Sequence, residues 1–123
     1  MNIALWIVAG VLAVVFVTAG LLKLTQPKVK LSENMAWVED FSAGQVKAIG
    51  TVEILGAVGL ILPGVTGIAP VLVPIAAAGL AIVMIGAAIT HLRRKEAPLA
   101  LANAVLFALA VFVTWGRFGP YPL

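Results

Sequence analysis

Glu53 is an ionisable residue in the middle of an apolar stretch, KAIGTVEILGAVGLILPGV, which covers residues 47–65. It follows Lys47 by six residues, so at 1.5 Å per helical residue its carboxyl lies roughly 9 Å inside the end of a helix. A charge deep in a membrane costs roughly 3 kcal/mol, and such residues usually face other helices and mark function. We therefore expect Glu53 to be either ionised and paired or protonated and donating a hydrogen bond.

Three further polar residues are expected at a similar depth. Lys23 ends the first apolar segment, His91 ends the third, and Asn103 lies five residues after Pro98 in the fourth. We predict a Lys23–Glu53 pair at the mouth of a groove, with His91 and Asn103 close by. Each also has a simpler interpretation: the lysine can extend to lipid headgroups, the histidine can stabilise a helix C-terminus, and the asparagine can hydrogen-bond between helices.

Several kinds of chemistry are disfavoured by the residues that the chain contains. The sequence has no cysteine, which removes thiol redox chemistry, thiolate metal sites and covalent haem attachment. One histidine cannot supply paired haem ligands, and Glu53, Asn103 and one imidazole form a weak metal-ligand set. We expect no metal site, no covalently bound cofactor and no catalytic activity of the chain on its own.

The composition is typical of an integral membrane protein. Of the 123 residues, 63% are hydrophobic and 11% are charged, against roughly half and a quarter in soluble domains. Four apolar segments have about the length needed to span a bilayer, which is roughly 17 to 25 residues. They lie at about 3–22, 48–65, 68–90 and 98–115. The sequence thus predicts an all-α integral membrane protein, with residues 1–123 forming one domain, a four-transmembrane-helix bundle surrounded by lipid.

The basic residues predict the orientation of this bundle. Seven of the eight lysines and arginines lie in or beside the loops 23–47 and 91–97, and Arg117 lies at the opposite end. The positive-inside rule makes both loops cytoplasmic and places both termini on the outer side. Because aromatic residues do not alternate with the basic ones, we expect no nucleic-acid partner.

A short interfacial helix is predicted within the first loop, in KLSENMAWVEDFSAGQ. Ser32 can cap it, and Glu33 suits its first turn. Apolar residues recur near helical spacing, but the acidic residues would repel anionic lipid, so the apolar stripe is expected to rest on the bundle or on a partner.

Small residues are frequent in the apolar segments and are expected to let helices pack closely. The residues predicted to do so are Gly50, Gly56, Gly59, Gly79 and Gly86. Gly50, Glu53 and Gly56 share one helix face, which forms a groove that admits either another helix or a flat ligand.

Three stretches carry a family resemblance: AGLLKL in the first segment, KAIGTVEILGAVGLILP in the second, and HLRRKEAP followed by Asn103. Together they resemble the DoxX-like small membrane proteins. The resemblance covers essentially the whole chain and implies a multi-pass bundle in the bacterial inner membrane. Lys23, Glu53, His91 and Asn103 match recurring polar positions of that family, without a catalytic role to carry over. Founding members are associated with thiosulfate:quinone oxidoreductase, others accompany membrane redox or detoxification proteins, and distant eukaryotic relatives include receptor-assembly chaperones.

Three functions remain open. The first is a noncatalytic accessory or assembly subunit that docks a membrane-protein partner, such as a quinone-linked redox complex, or a second copy of itself. The second is a binding site for a lipophilic ligand, with quinone the best candidate, in which Glu53 and Lys23 or His91 act at a carbonyl oxygen. The third is a small proton-coupled transporter, disfavoured because no broken helix or inverted repeat is evident.

Overall fold

The computed structural model describes residues 1–27 and 41–123. These residues form four α-helices and no strand: α1 (Asn2–Thr25), α2 (Ala43–Thr66), α3 (Leu72–Arg93) and α4 (Ala97–Phe118). Each helix is long and apolar enough to cross a membrane. The predicted all-α, four-helix fold is therefore confirmed. The interfacial helix predicted within residues 30–45 falls mostly on residues 28–40, which lie outside the described residues.

The helices form a ring in which each contacts the next and α4 contacts α1. Neighbours are antiparallel: Trp6 near the start of α1 meets Gly64 near the end of α2, and Leu5 meets Gly116 near the end of α4. The bundle thus has a termini end, with the chain ends and the turn 67–71, and a loop end, with the first loop and the turn 94–96.

The core lies where the four helices meet. Each helix contributes a side chain that is at most 1% exposed: Phe16, Leu60, Leu80 and Val113. Small residues such as Ala77 and Ala110 lie between them and are fully buried. Close packing of large against small side chains supplies the dispersion contacts that hold helices together in lipid.

The outer face of the bundle is as apolar as its core. Each helix places a large aliphatic residue outward and mostly exposed: Ile7, Leu55, Ile82 and Leu101. A helix that is apolar all round is stable only when it is surrounded by protein or lipid. The exposed apolar surface of the bundle is therefore suited to contact with a lipid bilayer.

The start of α3 differs from the sequence prediction. The prediction began this helix at residue 68. Instead, α2 ends at Thr66 and is followed by the C-cap residue Gly67, whose φ of 72° is left-handed, and α3 begins at Leu72. Pro74 therefore lies in the first turn, where its missing N–H breaks no helical hydrogen bond.

Candidate functional site

Lys23 and Glu53 form an ion pair between α1 and α2. The lysine Nζ lies 2.7 Å from the glutamate Oε1, and the two side chains are only 6% and 5% exposed. The predicted pairing is present, and the opposite charges lower the cost of placing both groups inside the bundle.

The pair is brought together by the closest approach of α1 to α2. A Cβ on Gly50 would lie 2.8 Å from the Lys23 Cβ and 2.9 Å from the Gly20 carbonyl oxygen, and a Cβ on Gly20 would lie 2.7 Å from the Gly50 carbonyl oxygen. The two glycines therefore let the backbones touch. Lys23 follows Gly20 by one helical turn and Glu53 follows Gly50 by one turn, which places both charged groups beside the crossing.

The groove predicted around Glu53 is thus occupied by helices of the same chain. Gly50 packs against α1, whereas Gly56 packs against Leu80 and Gly59 against Ala76, both on α3. Gly20 was not among the predicted packing residues. Its spacing of one turn before Lys23 was the signal that could have identified it.

The packing role predicted for Gly79 and Gly86 is wrong within the described residues. A Cβ at either position would meet nothing within 4 Å, and both glycines lie on the exposed face of α3. Glycine content alone does not show which helix face turns inward, because these two glycines share a face with the exposed Ile75 and Ile82.

His91 and Asn103 make other contacts. His91 is buried at the end of α3, and its Nδ1 lies 3.1 Å from Oε1 of Glu96. Asn103 donates from Nδ2 to the Met84 Sδ at 3.5 Å, which links α4 to α3, while its Oδ1 has no partner among the described residues. The described residues show no direct polar contact of Glu53 with either one, and the role of the four residues as one site stays a prediction.

A pocket of about 280 Å³ opens at the loop end, between the end of α1 and the start of α2. Its walls are both polar and apolar, and they are formed by Lys23, Leu24, Thr25, Gln26, Pro27, Ala43, Val46 and Lys47. The Ser42 side chain and the Gln45 side chain cap the first turn of α2 reciprocally, which fixes one wall of the pocket. Lys23 joins this pocket to the buried ion pair.

A second polar cluster, centred on Arg117, lies at the termini end. Arg117 is 5% exposed; its Nη1 donates to Asn2 Oδ1 at 2.6 Å and to the Tyr121 carbonyl at 3.1 Å. Its guanidinium lies 5.6 Å from the centroid of the Trp6 ring. This cluster connects the start of α1 with the end of α4.

Sequence reasoning missed this second cluster. It placed Arg117 correctly at the end opposite to the other basic residues, but it assigned Arg117 no contact there. The signal was an arginine in the last turn of an apolar helix together with an asparagine at the start of another. Both lie at the same end of an antiparallel bundle, so they can meet.

The four apolar helices, with charged side chains turned into the bundle, define a multi-pass integral membrane protein. The family model for the DoxX-like family matches residues 7–113, which covers all four helices. The chain belongs to the DoxX-like family. No curated protein and no solved structure shows a significant match to it.

Proposed function

We propose that the protein is a noncatalytic accessory or assembly subunit of a membrane redox complex in the bacterial inner membrane. The observation that supports this is the pairing of Lys23 with Glu53. A carboxylate that acts as a base must face the group from which it takes a proton, whereas Glu53 faces a lysine of the neighbouring helix. The intramembrane charges therefore act as a crosslink that fixes α1 against α2.

The redox partner is proposed from the family. Founding members of the DoxX-like family are associated with thiosulfate:quinone oxidoreductase, others accompany membrane redox or detoxification proteins, and the family match covers residues 7–113. A rigid bundle with an apolar outer face provides a surface on which another membrane subunit can pack. The chain itself would supply position and stability, and the partner would carry the electrons.

The partner is tested by gentle purification from the native membrane, with chemical crosslinking and mass spectrometry. We expect a stoichiometric redox protein, retained equally when Lys23 and Glu53 are both replaced by methionine. Purification of the chain with no redox protein would contradict the proposal. Loss of the partner in the double variant, with the bundle still folded, would show that the ion pair itself is needed for docking.

A second candidate function, binding of a quinone or similar lipophile, is favoured by the pocket at the loop end. The pocket is of a size that can hold a small ring, and it presents Lys23 and Lys47, whose ammonium groups can donate to a carbonyl oxygen. In this proposal the ion pair holds Lys23 at the pocket wall, and the apolar tail of the ligand extends into lipid.

This candidate is tested with Ala43→Leu, which fills the pocket, and Ala48→Leu, a matched change on an exposed residue of α2 that does not line it. Lipophiles are extracted from each purified variant and quantified by mass spectrometry. We expect a bound quinone to be lost in Ala43→Leu and in Glu53→Gln and to be kept in Ala48→Leu. Equal quinone content in all three would exclude this site.

A further inference from the structure

Arg117 is a buried cation that has no carboxylate within ion-pair distance among the described residues. The acceptors of its two hydrogen bonds, Asn2 Oδ1 and the Tyr121 carbonyl, are both neutral, and both bonds use Nη1. Nε and Nη2 have no acceptor among the described residues. Arg117 as a whole residue is 5% exposed, and burying a cation without an anionic partner is costly, so an anionic group that reaches Nε and Nη2 would be bound favourably.

An apolar groove on α1 begins beside this cation. It has a volume of about 550 Å³ and is lined by Trp6, Ile7, Gly10, Val11, Val14 and Val15. Trp6 connects the two features, because its ring lines the groove and also lies against the Arg117 guanidinium. From Trp6 to Val15 the groove follows roughly 14 Å of helix.

Gly10 keeps this groove open. A Cβ at this position would meet nothing within 4 Å, so the missing side chain leaves a depression between the larger residues on either side. The groove therefore runs along α1 into the membrane, and its outer end lies at the aromatic residue and the cation. This is the arrangement that a molecule with one anionic head and one apolar tail requires.

We propose that Arg117 and the groove bind one anionic phospholipid from the leaflet at the termini end. The phosphate accepts hydrogen bonds from Nε and Nη2, which form the planar fork that suits two oxygens of one phosphate. An acyl chain lies over Gly10, and Trp6 lies at the level of the headgroup, where tryptophan is favoured. The site is separate from the Lys23–Glu53 pair, since it lies at the opposite end of the bundle.

The test uses the whole protein in nanodiscs with equal amounts of phosphatidylglycerol and phosphatidylethanolamine, released for native mass spectrometry. Gly10→Leu fills the groove, and Gly86→Leu is the matched control, because a Cβ there also meets nothing within 4 Å. We expect the native protein and Gly86→Leu to retain one phosphatidylglycerol and Gly10→Leu to retain about tenfold less, a change of roughly 1.4 kcal/mol.

The charge requirement is tested with Arg117→Lys and Arg117→Gln. We expect the lysine variant to keep part of the retention and the glutamine variant to lose it. Equal retention of the two lipids by the native protein, or undiminished retention in Gly10→Leu, would overturn the proposal. Gly10→Leu decides the question even where Arg117→Gln does not fold, and thermal melting by circular dichroism identifies any variant that has lost the fold.

Discussion

At the scale of single residues, the structure turns two ionisable groups into a contact between helices. Neither Lys23 nor Glu53 is favourable inside an apolar bundle, yet each is at most 5% exposed. Their separation of 2.7 Å explains why both are tolerated. Removing one partner should therefore cost more than removing both, because a single change leaves one charge buried without its counterion.

We predict that Glu53→Gln lowers the free energy of unfolding by about 3–5 kcal/mol, the range for a buried pair that loses one member. Replacing Lys23 and Glu53 together by methionine should recover most of that loss, because two apolar side chains of similar length then fill the space. Unfolding in mixed micelles, followed by circular dichroism, measures both. A double variant no more stable than Glu53→Gln would show that the pair does more than neutralise charge.

At the scale of the helices, the crossing of α1 and α2 depends on two glycines, one of which the sequence prediction missed. Hydropathy and glycine content predicted four helices and close packing, since both follow from composition and period. They could not predict which glycines face inward, because every face of these helices is apolar. The ion pair could be predicted from the depth of its two residues alone. Whether Gly20, Gly79 and Gly86 face inward or outward depends on how each helix is rotated about its axis, which only the structure shows.

We predict opposite effects of alanine at two glycines of this bundle. Gly50→Ala should destabilise it by about 1–3 kcal/mol, because the new methyl would overlap the Gly20 carbonyl oxygen and the Lys23 Cβ. Gly79→Ala should be neutral or should stabilise by up to about 1 kcal/mol, since it meets no described atom and favours the helix. Thermal unfolding of the two variants in one detergent compares them, and equal losses would argue against the close crossing.

At the scale of the whole molecule, the charge distribution should fix the orientation in the membrane. The basic residues of the described chain lie at the loop end, except Arg117. Family and composition give a multi-pass membrane protein. The side of the membrane on which each end lies depends on the membrane and its insertion machinery, so it does not follow from the structure of the isolated bundle.

We predict that the termini end faces outward and the loop end faces the cytoplasm. Because the chain has no cysteine, a single introduced cysteine is the only thiol that can be labelled, and its labelling shows on which side of the membrane that end lies. In intact cells, Pro120→Cys should react with a membrane-impermeant maleimide, whereas Lys95→Cys should react only after the cells are opened. The reverse pattern would invert the topology.

The hydrogen bond between Asn2 and Arg117 joins residues that are 115 positions apart, and this separation constrains how the protein is made. A ribosome adding about 5–20 residues per second needs roughly 6 to 23 s to cover that distance. During this interval α1 can already meet α2 through Lys23 and Glu53, but its other end has no arginine to contact. Because Trp6 can also meet Gly64 before α4 is made, α1 and α2 can pack along their whole length first, and the emergence of Arg117 then completes the ring.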